Sequence, residues 1–474
     1  MIPFYVAGRP ATGSEPLTVR HPYDTSVVGE TSYATAEQVE EAVAAAFAAA
    51  GPAAALSAAD RAGALDEISA RIKRRAEEFA QLITAENGKP LKWARAEVAR
   101  AVSTFRWAAE EARRFSGELQ RLDTDPAAAG RIALVRRFPR GPVLGIAPFN
   151  FPLNLVAHKV APALAVGAPI VLKPAPATPL TALLLGEIMS QLDLPAGLFS
   201  VLPVPNDRAA ALVADPRLPV VSFTGSGPVG AQIRAAVPHK HVTLELGGNA
   251  AALIAQDWTD LDHAAQRIAT FSNYQAGQSC IAVQRVFVHR DHAEAFTPKL
   301  VAAVEALRSG DPRDEATDVG PVVDSRAADR IEEWIAEAVT KGGRVLTGGT
   351  RSGTTISPTV LTDVPPDAKV CAEEIFGPVL VLTVVDDDEA GLTAIDDSAY
   401  GLQAGIFTRH LDLAFESHRR LHVGGVIIGD VPTFRADQMP YGGVKGSGSG
   451  REGIASAMDD YTEPRVLVLT GLAL

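Results

Sequence analysis

The chain has 474 residues, of which 47% are hydrophobic and 21% are charged, and its formal net charge at pH 7 is −12. This length exceeds one ordinary hydrophobic core, so two or three folded domains are expected and a mainly disordered chain is excluded. The acidic balance argues against binding to nucleic acid or to an anionic membrane surface, because both carry negative charge.

Neither secretion nor membrane insertion is predicted. Met1–Ala11 lacks the basic and apolar regions of a signal peptide. The most apolar long stretch, Leu153–Leu172, contains a histidine, a lysine and two prolines, which argues against a membrane-spanning helix. The two cysteines, Cys280 and Cys371, are too few for a disulfide framework. A cytoplasmic protein without a membrane partner is therefore expected.

The first half of the chain alternates between helical and strand-like patterns. Within its first helix, Val39, Val43 and Phe47 recur at helical spacing, whereas short apolar runs between turn residues are typical of strands. The predicted helices are Ala36–Ala50, Asp60–Glu86, Trp93–Phe115 and Val156–Val166, and the predicted strands are Ile132–Phe138, Val143–Ala147, Pro169–Leu172, Phe199–Leu202, Val220–Phe223 and Val242–Leu246.

The second half repeats this alternation, which predicts βαβ units and a largely parallel sheet. A second α/β domain is expected to begin near Gly248, with the active site between the two domains. The predicted helices are Leu261–Tyr274, Ala293–Leu307 and Arg326–Lys341, and the predicted strands are Gln284–Val288, a strand near Val345 and Val379–Val384.

A glycine-rich turn follows the strand that ends at Phe223. Its sequence is Thr224-Gly225-Ser226-Gly227-Pro228-Val229-Gly230, and Ser226 is a candidate N-cap of the next helix. Free N–H groups and the dipole at a helix start suit a pyrophosphate. The segment is not a GxGxxG fingerprint, however, and an ordinary turn is the alternative interpretation.

Cys280 ends the small-residue segment Gln275-Ala276-Gly277-Gln278-Ser279-Cys280. A cysteine in such a loop can be reached by a substrate, and its thiolate would attack an aldehyde carbon. Taken alone, Cys280 could equally be a buried cysteine that acts as a small hydrophobic residue. That second interpretation is the one expected for Cys371.

Two polar residues lie at the ends of apolar runs. Glu245 ends a strand, where it could be a capping or ion-paired group or, with its pKa raised in an apolar cleft, a general base. Asn150 lies in Pro148-Phe149-Asn150-Phe151-Pro152, where its amide could form an Asx turn or hold an oxyanion.

The order and spacing of these motifs resemble the aldehyde dehydrogenase superfamily over essentially the whole chain. The resemblance also rests on three further segments, Lys173–Pro179, Glu373–Pro378 and Pro440–Gly448. It implies an α/β fold with a Rossmann-like cofactor domain, a second α/β catalytic domain and a small β oligomerisation arm. The implied ranges are 1–121 and 142–247 for the cofactor domain, 248–453 for the catalytic domain, and 122–141 and 454–474 for the arm. Because strands of an arm need a partner to cover their edges, a homodimer or homotetramer is expected.

The resemblance also implies residue roles. Cys280 would be the nucleophile, Glu245 the general base, and Asn150 with the Cys280 backbone N–H the oxyanion hole. Thiohemiacetal formation, hydride transfer to NAD(P)+ and hydrolysis of a thioester by water would follow, without a metal. Residues implied to contact the cofactor are Lys173, Thr224, Gly225, Ser226, Gly230, Leu246, Glu374 and Phe376.

The cofactor could be NAD or NADP. Members of the family that prefer NAD usually have a glutamate three residues after the lysine, and this chain has Pro176 there. Loss of that carboxylate removes repulsion toward a 2′-phosphate, and Lys173 lies nearby to attract one. NADP is therefore possible, and the preference stays open.

The segment Val431–Pro440 resembles the branch that handles lactaldehyde, glyceraldehyde-3-phosphate or phosphonoacetaldehyde, which implies a small polar or anionic aldehyde. The implied substrate-binding residues are Arg106, His158, Ser279 and Arg435, and an ordinary surface ion pair is the alternative for Arg106. Alternatives for the whole chain are a semialdehyde dehydrogenase, such as one for succinate semialdehyde, and a non-catalytic protein that kept the fold.

Overall fold

The computed structural model describes residues 1–471, so residues 472–474 of the predicted arm lie outside the described part. The first half contains β1 (Phe4–Val6), β2 (Arg9–Ala11), β3 (Glu15–Arg20), β4 (Val27–Tyr33), α1 (Ala36–Ala55), α2 (Ala58–Arg74), α3 (Ala76–Asn87), α4 (Leu91–Arg114), β5 (Glu118–Arg121), β6 (Arg131–Pro139), β7 (Val143–Ile146), α5 (Asn154–Val166), β8 (Ile170–Lys173), α6 (Leu180–Ser190), β9 (Phe199–Val201), α7 (Ala209–Ala214), β10 (Val220–Thr224), α8 (Gly227–Ala236) and β11 (His241–Glu245).

The second half contains β12 (Ala251–Ile254), α9 (Leu261–Asn273), β13 (Arg285–His289), α10 (Arg290–Glu305), α11 (Ser325–Thr340), β14 (Arg344–Thr347), β15 (Arg351–Ser352), β16 (Thr355–Ile356), β17 (Thr359–Thr362), α12 (Lys369–Ala372), β18 (Val379–Val385), α13 (Asp388–Asp396), β19 (Tyr400–Gly401), β20 (Gln403–Phe407), α14 (Leu411–Arg420), β21 (Gly425–Ile428), β22 (Val444–Lys445), β23 (Gly448–Ser449), α15 (Ile454–Asp460) and β24 (Thr462–Thr470).

The first sheet has eight strands in the order β2-β1-β9-β8-β7-β10-β11-β23. Its five central strands are parallel, and the chain passes outward from β7 through β8 to β9 before it returns to β10 on the other side. In a doubly wound sheet of this kind, ligands bind at the carboxyl ends of the strands near the point where the order reverses. That point lies between β7 and β10.

The second sheet has seven strands in the order β14-β17-β18-β13-β12-β20-β21, and all of its pairings are parallel except that of β14 with β17. Helices cover both sheets, and each sheet has its own buried hydrophobic clusters. The predicted α/β class with largely parallel sheets is therefore confirmed. The active-site loops come from the carboxyl ends of the first sheet and from the second half of the chain.

A third, antiparallel sheet has the order β24-β6-β5. β24 pairs with β6 along its whole length, from Thr462 opposite Pro139 to Thr470 opposite Arg131. β5, which precedes residue 122, pairs with β6 in this sheet, and α15 packs against α4 and α5 in the first core.

Among residues 1–471, no single helix combines the length and the apolar composition needed to cross a membrane. Helices α1 and α2 meet that criterion only when taken together, and the pair is bent by 114°.

Candidate active site

One cavity of about 720 Å³ collects most of the predicted site residues. Four of the residues that line it lie at the carboxyl ends of strands in the first sheet. Asn150 follows β7, Lys173 ends β8, Thr224 ends β10 and Glu245 ends β11. Cys280 and further residues from the second half of the chain close the opposite side. The parallel arrangement thus brings together residues that are far apart in sequence.

Cys280 reaches the cavity through a tight turn after α9. Three consecutive residues, Gln275, Ala276 and Gly277, have φ values of 56°, 54° and 68°. The left-handed conformation is costly for Gln275 and Ala276, and such strain is typical of functional sites. Gly277 is required, because a Cβ there would lie 2.0 Å from the Gly377 carbonyl oxygen. The turn fixes the path of the chain into Cys280.

Cys280 is half-buried, and its sulfur lies 3.0 Å from the Tyr441 hydroxyl oxygen. Burial raises the pKa of the thiol to about 12, against a weaker opposing effect of the Tyr441 hydrogen bond. At neutral pH the sulfur is therefore a thiol in this state, and a base must take its proton before or during attack. The Cys280 backbone N–H has no acceptor among the described residues.

Asn150 is held next to this loop by reciprocal hydrogen bonds. Its Nδ2 donates to the Gln278 carbonyl oxygen at 3.0 Å, and Gln275 Nε2 donates to the Asn150 carbonyl oxygen at 2.6 Å. The amide nitrogen has a second hydrogen, which remains for another acceptor. Asn150 and the Cys280 N–H can therefore hold an oxyanion.

Glu245 lies on the same cavity with neither carboxyl oxygen hydrogen-bonded to any described residue. It is 3% exposed, and burial, together with the nearby carboxylate of Glu452, raises its pKa well above the ordinary value. Glu452 behaves in the opposite way: its pKa is held at about 2 by Lys159 and Arg435 despite burial. Two carboxyl groups with separated pKa values allow one to act as a base while the other stays charged.

Thr224 links this carboxylate pair to the cofactor end of the cavity. Its hydroxyl accepts a hydrogen bond from Lys159 Nζ at 2.7 Å and donates one to Glu452 Oε1 at 3.2 Å. Lys159 itself is fully buried beside these groups. Thr224 is therefore held by the buried charges behind the cavity wall.

The glycine-rich turn fits a phosphate group. Gly225 and Ser226 line the cavity at the start of α8, and Ser226 occupies the N-cap position as predicted, but its side chain makes no capping hydrogen bond. The first N–H groups of the helix are therefore free for an anionic ligand. Gly230 does not line the cavity. It faces Leu246, where a Cβ would lie 2.6 Å from Leu246 Cδ2, so the absence of a side chain allows this close packing.

Lys173 lies at the far end, where its Nζ donates to Asn206 Oδ1 at 2.8 Å. Burial lowers the pKa of Lys173 to about 8. Pro176 and Asn206 line the cavity beside it, and no described carboxylate lines this end. A cation without a carboxylate neighbour suits a ribose or a phosphate.

Glu374 and Phe376 line the middle of the cavity, as does Leu246. Glu374 Oε1 accepts a hydrogen bond from the Gly248 N–H at 2.9 Å, and burial raises its pKa to about 7. Phe376 packs edge-on against Phe149, with ring centroids 5.9 Å apart. A carboxyl group beside an aromatic wall fits a ribose and a flat ring, so the residues present match a nicotinamide dinucleotide.

The substrate end carries two arginines. Arg435 lines the cavity as predicted, while its guanidinium pairs with Glu452 Oε2 at 3.0 Å. Arg100, which was not predicted as a site residue from the sequence, lines the same cavity and pairs with Asp437 at 2.8 Å. Ser279 also lines it, and its hydroxyl accepts from Tyr274 at 2.8 Å.

Two predicted substrate residues, Arg106 and His158, do not line the cavity. Arg106 is exposed outside the cavity, and its guanidinium lies over the Trp107 ring, 4.7 Å from the centroid. His158 is buried and does not line the cavity, because its Nε2 contacts Asp437 Oδ1 at 3.0 Å. His158 thus supports the residue that pairs with Arg100. Its pKa is lowered, chiefly by burial.

Both cysteines are free, and Cys371 lies half-buried in α12, outside the cavity. Among residues 1–471, no group of three or more His, Cys, Asp and Glu side chains is placed to hold a metal ion.

The chain is similar to known proteins in sequence and in structure. Residues 9–467 match the model of the aldehyde dehydrogenase family. A 3-sulfolactaldehyde dehydrogenase from Priestia aryabhattai is 41% identical over 98% of this chain and 97% of its own length.

Two solved structures are also similar. Aldehyde dehydrogenase 21 from Physcomitrella patens, in complex with the reaction product succinate, has a TM-score of 0.98 and 46% identity over 99% of this chain and 98% of its own. Glyceraldehyde-3-phosphate dehydrogenase GapN from Methanocaldococcus jannaschii, complexed with NADP, has a TM-score of 0.92 and 33% identity over 97% of this chain and 100% of its own.

Proposed function

The chain belongs to the aldehyde dehydrogenase family, and from that premise we propose that it oxidises a small aldehyde whose other end is anionic, with Cys280 as the nucleophile. It is an NAD(P)-dependent enzyme that converts an aldehyde to a carboxylic acid. The observation that supports the assignment of the site is that Cys280, Glu245 and Asn150 line one cavity.

The first step is attack of the Cys280 sulfur on the aldehyde carbon. Because burial keeps the sulfur protonated, Glu245 takes the proton as the C–S bond forms. The carbonyl oxygen becomes an oxyanion, which the second amide hydrogen of Asn150 and the Cys280 N–H stabilise. The product of this step is a thiohemiacetal on Cys280.

When bound, NAD(P)+ would supply the acceptor for the hydride that leaves the aldehyde carbon. Lys173, Gly225, Ser226, Glu374 and Phe376 would hold it, with Thr224 and Leu246 completing the walls. Loss of the hydride leaves a thioester on Cys280. Glu245, after releasing its first proton to solvent, takes a proton from water, which attacks the thioester and frees the acid.

The two arginines support an anionic substrate group. Arg100 and Arg435 are the guanidinium groups at the substrate end of the cavity, and guanidinium groups bind carboxylates, sulfonates and phosphates through paired hydrogen bonds. The similar proteins act on 3-sulfolactaldehyde or carry the product succinate, and each name describes an anionic compound. Both sulfonated aldehydes and semialdehydes of dicarboxylic acids are therefore candidate substrates.

We further propose that residues 1–121 and 142–247, apart from β5, form the cofactor-binding unit and that 248–453 form the catalytic unit. The β24-β6-β5 sheet would then be an arm between subunits of a homodimer or homotetramer. A nucleophilic cysteine must stay reduced, which supports a cytoplasmic location.

The decisive experiment replaces Cys280→Ala and follows NAD(P)H formation from an anionic aldehyde such as succinate semialdehyde. We expect activity to fall to background, because no other group on the cavity can form the thioester. Cys371→Ala is the matched control, since it removes the other thiol from outside the cavity and should leave turnover near the parent value. Substantial activity in the Cys280→Ala enzyme would refute the mechanism.

A further inference from the structure

One hydrogen-bonding contact of the Cys280 sulfur has no role in the proposed mechanism. The Tyr441 hydroxyl oxygen lies 3.0 Å from the Cys280 sulfur, and the Tyr441 side chain lines the cavity. The other polar groups that act on the substrate, Asn150 and Glu245, make no hydrogen bond to this sulfur. Tyr441 is therefore the side chain in hydrogen-bonding contact with the reacting atom.

The position of this hydroxyl is fixed on several sides. The Tyr441 N–H donates to the Glu452 carbonyl oxygen at 2.9 Å, and the Glu452 N–H donates back to the Tyr441 carbonyl oxygen at 2.6 Å. The ring packs with Ile281 and Leu402 in a small buried cluster that also contacts Cys280. The phenol cannot turn away from the sulfur without breaking this packing.

A buried cation lies over the same ring. The Arg435 guanidinium carbon is 3.8 Å from the Tyr441 ring centroid, and Glu452 Oε2 holds the guanidinium at 3.0 Å. A cation against the face of an aromatic ring withdraws electron density from it, which makes the phenol a stronger hydrogen-bond donor. Glu452 thus holds both the backbone of Tyr441 and the cation over its ring.

These contacts would stabilise an ionised sulfur at Cys280. A thiolate in a buried, largely apolar cavity can only accept hydrogen bonds, and a donor aimed at it favours the charged form. We propose that Tyr441 is a catalytic residue whose hydroxyl donates a hydrogen bond to the ionised sulfur of Cys280 and stabilises it for attack, a role that rests on Cys280 being the nucleophile. A phenylalanine would fill the same space without donating.

The test uses the resting enzyme without aldehyde or cofactor, in a Cys371→Ala background so that Cys280 is the sole thiol. Tyr441→Phe should raise the pH at which the sulfur ionises by about one unit, since a hydrogen bond to a charged group is lost. At pH 8 the thiolate fraction then falls about tenfold, partly offset by the roughly threefold greater reactivity of a more basic thiolate. Alkylation of Cys280 by iodoacetamide should therefore be about threefold slower.

Tyr274→Phe is the matched control. Its hydroxyl lies on the same cavity but donates to Ser279 Oγ instead of to the sulfur. We expect this variant to be alkylated at the parent rate. An equal loss in both variants, or an unchanged or faster rate in Tyr441→Phe, would overturn the proposal.

If Tyr441→Phe does not fold, as judged by circular dichroism, Tyr441→3-fluorotyrosine provides the opposite test. Fluorine makes the phenol more acidic and a stronger donor, so alkylation at pH 8 should become faster, and a slower or unchanged rate would contradict the role. Failure of either alkylation test removes only the role of Tyr441. Failure of the proposed function would instead appear as turnover by the Cys280→Ala enzyme.

Discussion

At the scale of single residues, the site depends on two neighbouring buried carboxyl groups whose pKa values are shifted in opposite directions. Glu452 is surrounded by Lys159 and Arg435 and stays ionised, with its pKa at about 2. Glu245 has no hydrogen-bond partner among the described residues, and burial next to that negative charge raises its pKa. The ion-paired group keeps the arginine in place, while the unpaired group remains free to exchange protons with the thiol and with water.

The substrate class can be tested through Arg100. Arg100→Ala should lower kcat/KM for succinate semialdehyde by about 10- to 100-fold, because a hydrogen bond to a charged group is worth about 1.5–3 kcal/mol. For butanal, a neutral aldehyde of similar length, little change is expected. The ratio of the two kcat/KM values is the measurement.

Arg106→Ala is the matched control for that experiment, on the same helix but outside the cavity. It should leave the ratio unchanged. If Arg100→Ala lowers kcat/KM equally for both aldehydes, Arg100 does not bind the anionic group of the substrate. The proposed class of anionic substrates then loses its support.

Cofactor preference can be tested at Pro176. Pro176→Glu should weaken NADP+ binding by roughly tenfold or more, because a carboxylate there would repel a 2′-phosphate and each 1.4 kcal/mol corresponds to a factor of ten. NAD+ binding should be unchanged or tighter. Dissociation constants measured by isothermal titration calorimetry decide this, and equal effects on both dinucleotides would place Pro176 away from the 2′ position. Pro176→Ala serves as the control for loss of proline.

Sequence alone predicted which residues meet in the site only where those residues lie at the ends of strands. Glu245 and Lys173 end parallel strands, whose carboxyl ends meet at one edge of a sheet, so their convergence was predictable. The positions of the two arginines on α4 were not predictable in this way. Arg100 and Arg106 are six residues apart on α4, which places them about 120° apart around the helix, and only packing of α4 shows which one faces the cavity. His158 was assigned to the substrate from the resemblance, and only the packing of α5, which is buried on all sides, shows that its ring contacts Asp437.

At the scale of elements, the helices and strands that were predicted lie within about five residues of observed ones, but many short strands and several helices were not predicted. Among the elements that escaped prediction, α6 has an almost entirely buried apolar sequence, and every residue of β12 and β20 is buried, so no periodicity marks them. The predicted helix Asp60–Glu86 is two helices that meet at Arg75, without a glycine or proline to signal the break. The positions and ends of these elements depend on tertiary packing, which the sequence pattern does not show.

Helix α4 also supports the turn that carries Asn150. Glu97 of α4 forms a fully buried ion pair with Lys89, and its Oε1 accepts hydrogen bonds from the N–H groups of Leu153 and Asn154, at 2.9 and 3.1 Å, where α5 begins. Lys89 Nζ in turn lies 4.1 Å from the centroid of the Phe151 ring. The buried pair thus connects the stability of the helical layer to the geometry of the oxyanion site.

Glu97→Gln is therefore expected to destabilise the protein by about 3–5 kcal/mol, since it leaves a buried lysine without its counter-charge. It should also lower kcat by displacing the turn around Asn150. Urea unfolding followed by circular dichroism, together with steady-state kinetics, measures both effects. Glu67→Gln is the control, because its ion pairs with Arg71 and Arg74 are on the surface of α2, and no change in either measurement is expected. Unaltered stability in Glu97→Gln would contradict the argument.

At the scale of the whole molecule, the third sheet is incompletely covered by its own chain. Four consecutive apolar residues of β24 are exposed, at 63%, 57%, 47% and 36% from Val466 to Leu469. Successive side chains of a strand point to opposite faces, so exposure of all four means that neither face is buried here. Leu119 on β5 is 61% exposed as well. An apolar antiparallel sheet with open edges is the kind of surface that a second subunit covers.

The oligomer prediction can be tested on this strand. Leu467→Glu places a charge in the exposed apolar row and should convert the parent homodimer or homotetramer into a smaller species, measured by size-exclusion chromatography with light scattering. Phe47→Glu makes the same change at an exposed apolar position on α1, outside the arm, and should leave the mass unchanged. A monomeric parent, or a Leu467→Glu enzyme with the parent mass, would contradict the assignment of this sheet as an arm. The catalytic cavity is lined by residues outside the arm, so a dissociated enzyme that still folds should also still be alkylated at Cys280.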